Sequence, residues 1–179
     1  MRLLAMVVYI SLAFIAESFS EDALLAAHGI KTRDLSQAQE SVLVGTINDI
    51  GKMTPQSVAI NGSVYKRLAS FRRLFGFKFD GEKLRDWLLR RIKSVARENT
   101  WTIAVNENGG SFLLGDRFFE KSDFLERAYC LVHEARHSDG DGYPHVRCPD
   151  DFKYISAGAP GIDDRSRAGD AANYATRVV

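Results

Sequence analysis

Apolar residues recur at three- and four-residue intervals in several segments of this chain, which is typical of amphipathic helices. The first predicted helix spans residues 34–51 and ends before Pro55. A second is predicted over residues 64–75, and the strongest pattern runs over residues 82–98, with Asp80 as its N-cap. The core stripe of this third helix comprises Leu84, Trp87, Leu88, Ile92 and Val95.

The next segment has the pattern of a β-hairpin. Residues 101–105 are rich in β-branched and aromatic side chains and are predicted to form a strand. Residues 106–110 contain two Asn and two Gly, which favour a turn, and residues 111–114 are the predicted second strand. A further short strand is predicted at residues 57–60. The patterns together predict an α+β fold, a mainly helical single domain with a small antiparallel sheet packed on the following helix.

A well-marked helix is predicted after the hairpin. Ser122 and Asp123 provide an N-cap and negative charge at the positive end of the helix dipole. Gly140 is of the residue type that commonly ends a helix. The apolar stripe of this helix comprises Phe124, Leu125, Ala128, Leu131 and Val132.

The last turns of this helix carry the HExxH motif, His133–Glu134–x–x–His137. Histidines four residues apart lie on one helix face, so both imidazoles can bind one metal ion, usually Zn²⁺. Glu134 lies beside the first histidine, where its carboxylate can take a proton from a metal-bound water. The motif therefore predicts one zinc ion, with His133 and His137 as ligands and Glu134 as general base.

With this motif on this helix, residues 99–148 resemble the zincin metallopeptidases, a resemblance at superfamily level. It implies peptide-bond hydrolysis and a short sheet packed on the HExxH helix. It also implies that an edge strand just upstream binds extended peptide substrate by strand addition. Residues 111–114 are the predicted edge strand.

A catalytic zinc ion needs a third protein ligand. Gly140 and Gly142 let the chain fold back, and His145 is the first choice for that ligand. The chain differs from ordinary metzincins, whose third histidine would fall at Tyr143, and from gluzincins, because no glutamate follows Glu134. Carboxylate alternatives for the third ligand are Asp163, Asp164 and Asp170.

Charged residues surround the motif. Asp139 and Asp141 are predicted to orient the imidazoles through hydrogen bonds to their outer nitrogen atoms. Arg136 is predicted to pair with an acid such as Asp139 or Asp141. The fourth histidine, His28, is predicted to take no part in the site.

The first twenty residues have the features of a secretory signal peptide, and an uncleaved membrane anchor is the alternative. Arg2 precedes an apolar run that is too short to span a bilayer comfortably, and small residues precede position 21. The domain is then residues 21–179, with a loop-rich tail from about residue 149. A secreted or periplasmic location is predicted, with no stable membrane insertion after signal cleavage.

Export changes the interpretation of the two cysteines. In an oxidising compartment, Cys130 and Cys148 are predicted to form a disulfide that ties the motif helix to the loop after it. The alternative is that Cys130 is a metal ligand, because it lies three residues before His133 on a similar helix face.

Composition narrows the function further. Lys and Arg total 24 and Asp and Glu total 23, so no basic surface for nucleic acid is expected. The predicted function is an exported zinc-dependent hydrolase, a metallopeptidase acting on peptide or protein substrates, including those of the cell envelope. The alternative is an exported, non-enzymatic zinc-binding module or a degenerate zincin fold of the cell envelope.

Overall fold

The computed structural model describes residues 23–54, 71–72, 75–99, 103–107 and 109–139, and the backbone of two strands at 145–147 and 160–162. These residues combine helices with a mixed sheet, in agreement with the predicted α+β class. The elements are β1 (Lys31–Arg33), α1 (Gln37–Lys52), α2 (Gly81–Leu89), β2 (Ser94–Arg97), β3 (Ala104–Asn106), β4 (Ser111–Leu114), α3 (Asp116–Glu120), α4 (Phe124–His137), β5 (His145–Arg147) and β6 (Pro160–Ile162).

Strands β1 to β4 form one sheet in the order β1-β2-β4-β3. The predicted hairpin is confirmed, because β3 and β4 pair antiparallel. The expectation of a purely antiparallel sheet was wrong, since β1 pairs parallel with β2, and β2 parallel with β4. Parallel neighbours need crossover connections, and the segment that contains α1 and α2 supplies the one between β1 and β2.

The helix predicted over residues 82–98 is correct only in its first half. Helix α2 ends at Leu89, and residues 94–97 form β2, which has a paired strand on each side. The backbone N–H groups of Lys93 and Ser94 donate to the carbonyl of Gly110 at 2.9 and 3.2 Å. Val95 is fully buried, as the predicted helical core stripe implied, but it is buried as a residue of the strand β2. Apolar spacing alone does not distinguish these two outcomes.

Helix α1 starts slightly later than predicted. Ser36 caps it, and the side chains and backbone of Ser36 and Gln39 form a reciprocal capping box. The helix ends at Lys52, with Met53 as C-cap, close to the predicted break. Of the helix predicted at 64–75, residues 71–72 and 75 are described and are helical, while the strand predicted at 57–60 lies outside the described residues.

The helices pack against one face of the sheet. Val95, Phe112 and Leu114 point to that face and belong to the hydrophobic core. Helix α4 contacts α1, α2 and β3, so three elements of the fold position the motif helix. The fully buried side chains of this core include Leu43, Ile47, Ile50, Leu84, Leu88, Phe118 and Leu131.

The opposite face of the sheet carries a cavity of about 400 Å³. Ser94 and Ser111 line it and share a hydrogen bond of 3.1 Å, and Lys31 and Arg33 lie at its margin. None of the motif residues lines this cavity.

The predicted signal peptide, residues 1–20, lies outside the described residues, as does most of the tail from residue 149. Across the residues whose placement is described, no helix is both long enough and apolar enough to cross a membrane.

Candidate metal centre

The motif lies on α4, as predicted. Asp123 caps this helix, because its carboxylate accepts a hydrogen bond from the backbone N–H of Glu126 at 2.8 Å. The apolar stripe is correct except at Leu125, whose exposure of 65% places it on the solvent side. The helix ends at His137 with Ser138 as C-cap, so both histidines belong to its last two turns.

The two motif histidines face each other across one helical turn. Their ring centroids are 5.0 Å apart, and the ring planes are inclined by 82°. Two imidazoles bound to one tetrahedral ion at about 2.0–2.1 Å have centroids about 5 Å apart, so the separation of this pair is compatible with a single zinc ion. In the described part of the chain, no third His, Cys, Asp or Glu side chain completes a group suited to a metal.

Glu134 is almost completely buried, with an exposure of 7%. Burial raises the pKa of its carboxyl to about 7, and a hydrogen bond from the backbone N–H of Asn106 opposes that rise. Asn106 is the last residue of β3, so the outer strand of the sheet lies against the carboxylate of the predicted base.

Arg136 and Asp139 form an ion pair, as one of the predictions for Arg136 proposed. Arg136 is 4% exposed, and the same Asp139 carboxylate also accepts hydrogen bonds from Arg91. Burial lowers the pKa of the Arg91 guanidinium, and the hydrogen bond and charge of Asp139 oppose that change. The Asp139 carboxylate is thus engaged by two arginines, whereas the imidazole-orienting role was predicted for it. Asp141 lies outside the described residues.

Cys130 is a buried thiol in the hydrophobic core. Burial, together with the charges of Glu134 and Glu126, raises the pKa of this thiol to about 12. The alternative that Cys130 binds the metal stays a prediction, because a bound zinc ion would itself favour the thiolate. Cys148 lies outside the described residues, and the disulfide stays a prediction.

The chain returns to the motif helix after leaving it. Strands β5 and β6 pair antiparallel, with His145 opposite Ile162, and β6 contacts α4. Only the backbone of these strands is described, so His145 as third ligand remains a prediction. Asp163 and Asp164, two of the alternatives, follow β6 in sequence; like Asp170, they lie outside the described residues.

Two residues near the motif were not predicted from the sequence. Asn106 was assigned to a turn, and Arg91 lies in the helix predicted over residues 82–98 but outside its core stripe. Neither has a local signal for its role, because their partners lie 28 to 48 residues away in the chain. His28 takes its hydrogen bond locally, from Nδ1 to the carbonyl of Leu24 at 3.0 Å.

Comparison of the chain with protein-family models, with curated proteins and with solved structures gave no match.

Proposed function

We propose that this protein is an exported zinc-dependent hydrolase that cleaves peptide bonds. The observation that carries the proposal is the pair of imidazoles from His133 and His137, whose 5.0 Å separation suits one tetrahedral ion. Glu134 lies between them in sequence, and its carboxylate is buried beside the sheet. Two ligands and a buried base within five residues are three of the parts that metal-assisted hydrolysis requires, and a third protein ligand is the fourth.

Each side chain has a separate role in this proposal. Zinc, when bound, supplies a Lewis acid that polarises the scissile carbonyl and makes water more acidic. His133 and His137 hold the ion, with His145 as the proposed third ligand. Glu134 accepts the proton of the attacking water and delivers it to the leaving amine.

A zincin-like arrangement of sheet and helix is part of the proposal. The sheet ends in an antiparallel outer strand, and α4 packs beside that strand. The strand in this position is β3, not residues 111–114 as predicted, because β4 is enclosed between β2 and β3. Among the described strands β3 pairs with β4 alone, and we propose that an extended peptide adds to its other edge, beside the point where the backbone N–H of Asn106 faces the Glu134 carboxylate.

The substrate class follows from that edge. An extended peptide adding to β3 would pass Val105, which is 36% exposed, on its way to the histidine pair. Backbone hydrogen bonds to a strand edge depend little on the side chains of the bound peptide. Exported peptides and proteins, including those of the cell envelope, are therefore the proposed substrates.

Zinc content tests the metal site. We expect the mature protein to hold one zinc ion per chain by elemental analysis, and His133→Ala to lose it because one of the two helix ligands is gone. Glu134→Gln should keep the ion, since the carboxylate is not a ligand. His28→Ala is the matched control and should retain zinc, and His145→Ala should lose affinity for it. Equal zinc content in all these variants would refute the proposed metal site.

Hydrolysis tests the mechanism. On a mixture of peptides followed by mass spectrometry, Glu134→Gln should lower the rate by about 100-fold or more, the usual contribution of a general base. His28→Ala should cleave at the wild-type rate. Cleavage that survives Glu134→Gln unchanged would exclude the assigned base. Stoichiometric zinc without any cleavage would favour a non-enzymatic zinc-binding module.

A further inference from the structure

The side chain of Asn106 joins the outer strand to the motif helix. Its Nδ2 atom donates to the backbone carbonyl of Glu134 at 2.6 Å and to the Oγ atom of Ser138 at 2.5 Å. Its Oδ1 atom accepts from the backbone N–H of Gly110 at 3.4 Å. The side-chain amide of Asn106 therefore uses both of its donor hydrogens on the end of α4 and its acceptor oxygen on the hairpin turn.

The Glu134 carbonyl needs such a donor. In a continuing helix it would accept from the backbone N–H of Ser138, four residues on. That N–H is turned to the carbonyls of Ala135 and Arg136 instead, where the helix ends. The last carbonyls of a helix require partners from outside it, and Asn106 is the partner for this one.

We propose that Asn106 is a positioning residue that holds Glu134 and the last turn of α4 in register with β3. Its catalytic consequence rests on the proposed function, since the turn it holds carries both Glu134 and His137. The side chain of Asn106 fixes the backbone of Glu134, and its own backbone N–H faces the Glu134 carboxylate. Strand β3 thus contacts both the backbone carbonyl and the side-chain carboxylate of Glu134, the predicted base.

The residue type at this position matters for the contact. Aspartate has the same shape as asparagine but presents no donor when it is ionised, so its oxygens would face the Glu134 carbonyl oxygen. Alanine removes the bridge without that repulsion. Asn99 is exposed, so Asn99→Asp makes the same chemical change away from the site.

Hydrogen–deuterium exchange of the metal-free mature protein tests the contact without relying on catalysis. We expect Asn106→Asp to speed exchange in peptides covering residues 131–139 by about 10- to 100-fold, because a buried carbonyl loses its donor. Exchange in α1 should not change, and Asn99→Asp should match the wild type. Unchanged exchange at 131–139 would overturn the inference.

Kinetics test the catalytic consequence. In the zinc-loaded protein, Asn106→Asp should keep its zinc and its KM but lose about 10- to 100-fold in kcat, as expected when support behind a metal site is removed. In the Glu134→Gln background, Asn106→Asp should lower kcat less than in the wild type, because part of its effect acts through the Glu134 carboxylate. An equal loss of kcat in the wild-type and Glu134→Gln backgrounds would show that Asn106 has only a structural role. Faster exchange in a protein that neither binds zinc nor hydrolyses peptides would support the contact and refute the proposed function.

Discussion

At the scale of single residues, Glu134 combines an ionisable carboxyl group with a buried position. Its carboxyl group is shielded from solvent. The hydrogen bond from the Asn106 backbone N–H compensates for only part of the hydration that the carboxyl group loses on folding. A residue selected only for stability at this position would be apolar. Its position beside two histidines agrees with the proposed role in proton transfer.

Glu134 should make the stability of the metal-free protein depend on pH. Its pKa rises from an ordinary 4.5 to about 7 on folding. The folded state therefore binds this proton more tightly than the unfolded state. The contribution of Glu134 to stability is full below about pH 4.5 and is lost as the pH rises through about 7. Glu134→Gln lacks this loss and should be more stable than the wild type at pH 8, by up to about 3 kcal/mol.

Urea unfolding of the chelator-treated protein at pH 4 and pH 8 measures this difference. At pH 4 the wild type and Glu134→Gln should have nearly equal free energies of unfolding. Glu98→Gln changes an exposed carboxyl and should leave the pH dependence as it is. A gain for Glu134→Gln that is the same at both pH values would contradict the assigned cause.

At the scale of elements, the junction between α1 and α2 depends on a glycine. A Cβ atom at Gly81 would lie 2.5 Å from the carbonyl oxygens of Ile50 and Met53, which belong to the end of α1. Gly81 also donates its backbone N–H to the Met53 carbonyl at 3.2 Å. The start of α2 therefore approaches α1 more closely than any other residue type permits.

Two glycine-to-alanine substitutions should consequently have opposite effects. Gly81→Ala should lower the free energy of unfolding by about 1–3 kcal/mol, because backbone atoms must move to admit the methyl group. Gly45→Ala, inside α1 and with nothing within 4 Å of the new Cβ, should raise it by about 0.5–1 kcal/mol. Urea unfolding compares both with the wild type. Equal effects would show that the close approach at Gly81 does not exist.

Elements with local signals were predicted well. The start of α4 follows from Asp123, whose side chain caps that helix as predicted. The start of α1 was predicted at residue 34, and the cap by Ser36 places it at Gln37. The hairpin follows from the turn residues between its strands. Strand β2 was missed, because Ile92 and Val95 continue a helical stripe and only the hydrogen bonds to Gly110 and β4 decide otherwise.

At the scale of the whole molecule, Asp139 ties together segments that are far apart in the chain. It follows the motif helix and pairs with Arg136, and it also binds Arg91, which follows α2. Arg91 in turn donates to the Trp87 carbonyl at 2.8 Å and lies 4.2 Å above the Trp87 ring. The end of α4 is therefore anchored to the segment that enters the sheet.

Removing Asp139 should weaken the whole fold. Asp139→Ala leaves two largely buried guanidinium groups without their shared carboxylate, which should lower the free energy of unfolding by about 2–4 kcal/mol. Asp49→Ala is the matched control, since Asp49 pairs with Lys52 on the exposed side of α1 and should lose less than about 1 kcal/mol. Both are measured by urea unfolding at pH 7. A loss for Asp139→Ala no larger than that of the control would disprove the anchor.

The sequence alone determined the parts of this protein that depend on near neighbours. It placed His133, Glu134 and His137 on one capped helix after a hairpin, because caps, turns and helical spacing act over three to five residues. Only the tertiary structure decided that residues 94–97 form a central strand and that Asn106 reaches Glu134 across 28 positions. Those outcomes depend on hydrogen bonds between distant segments, whose partners no local pattern specifies.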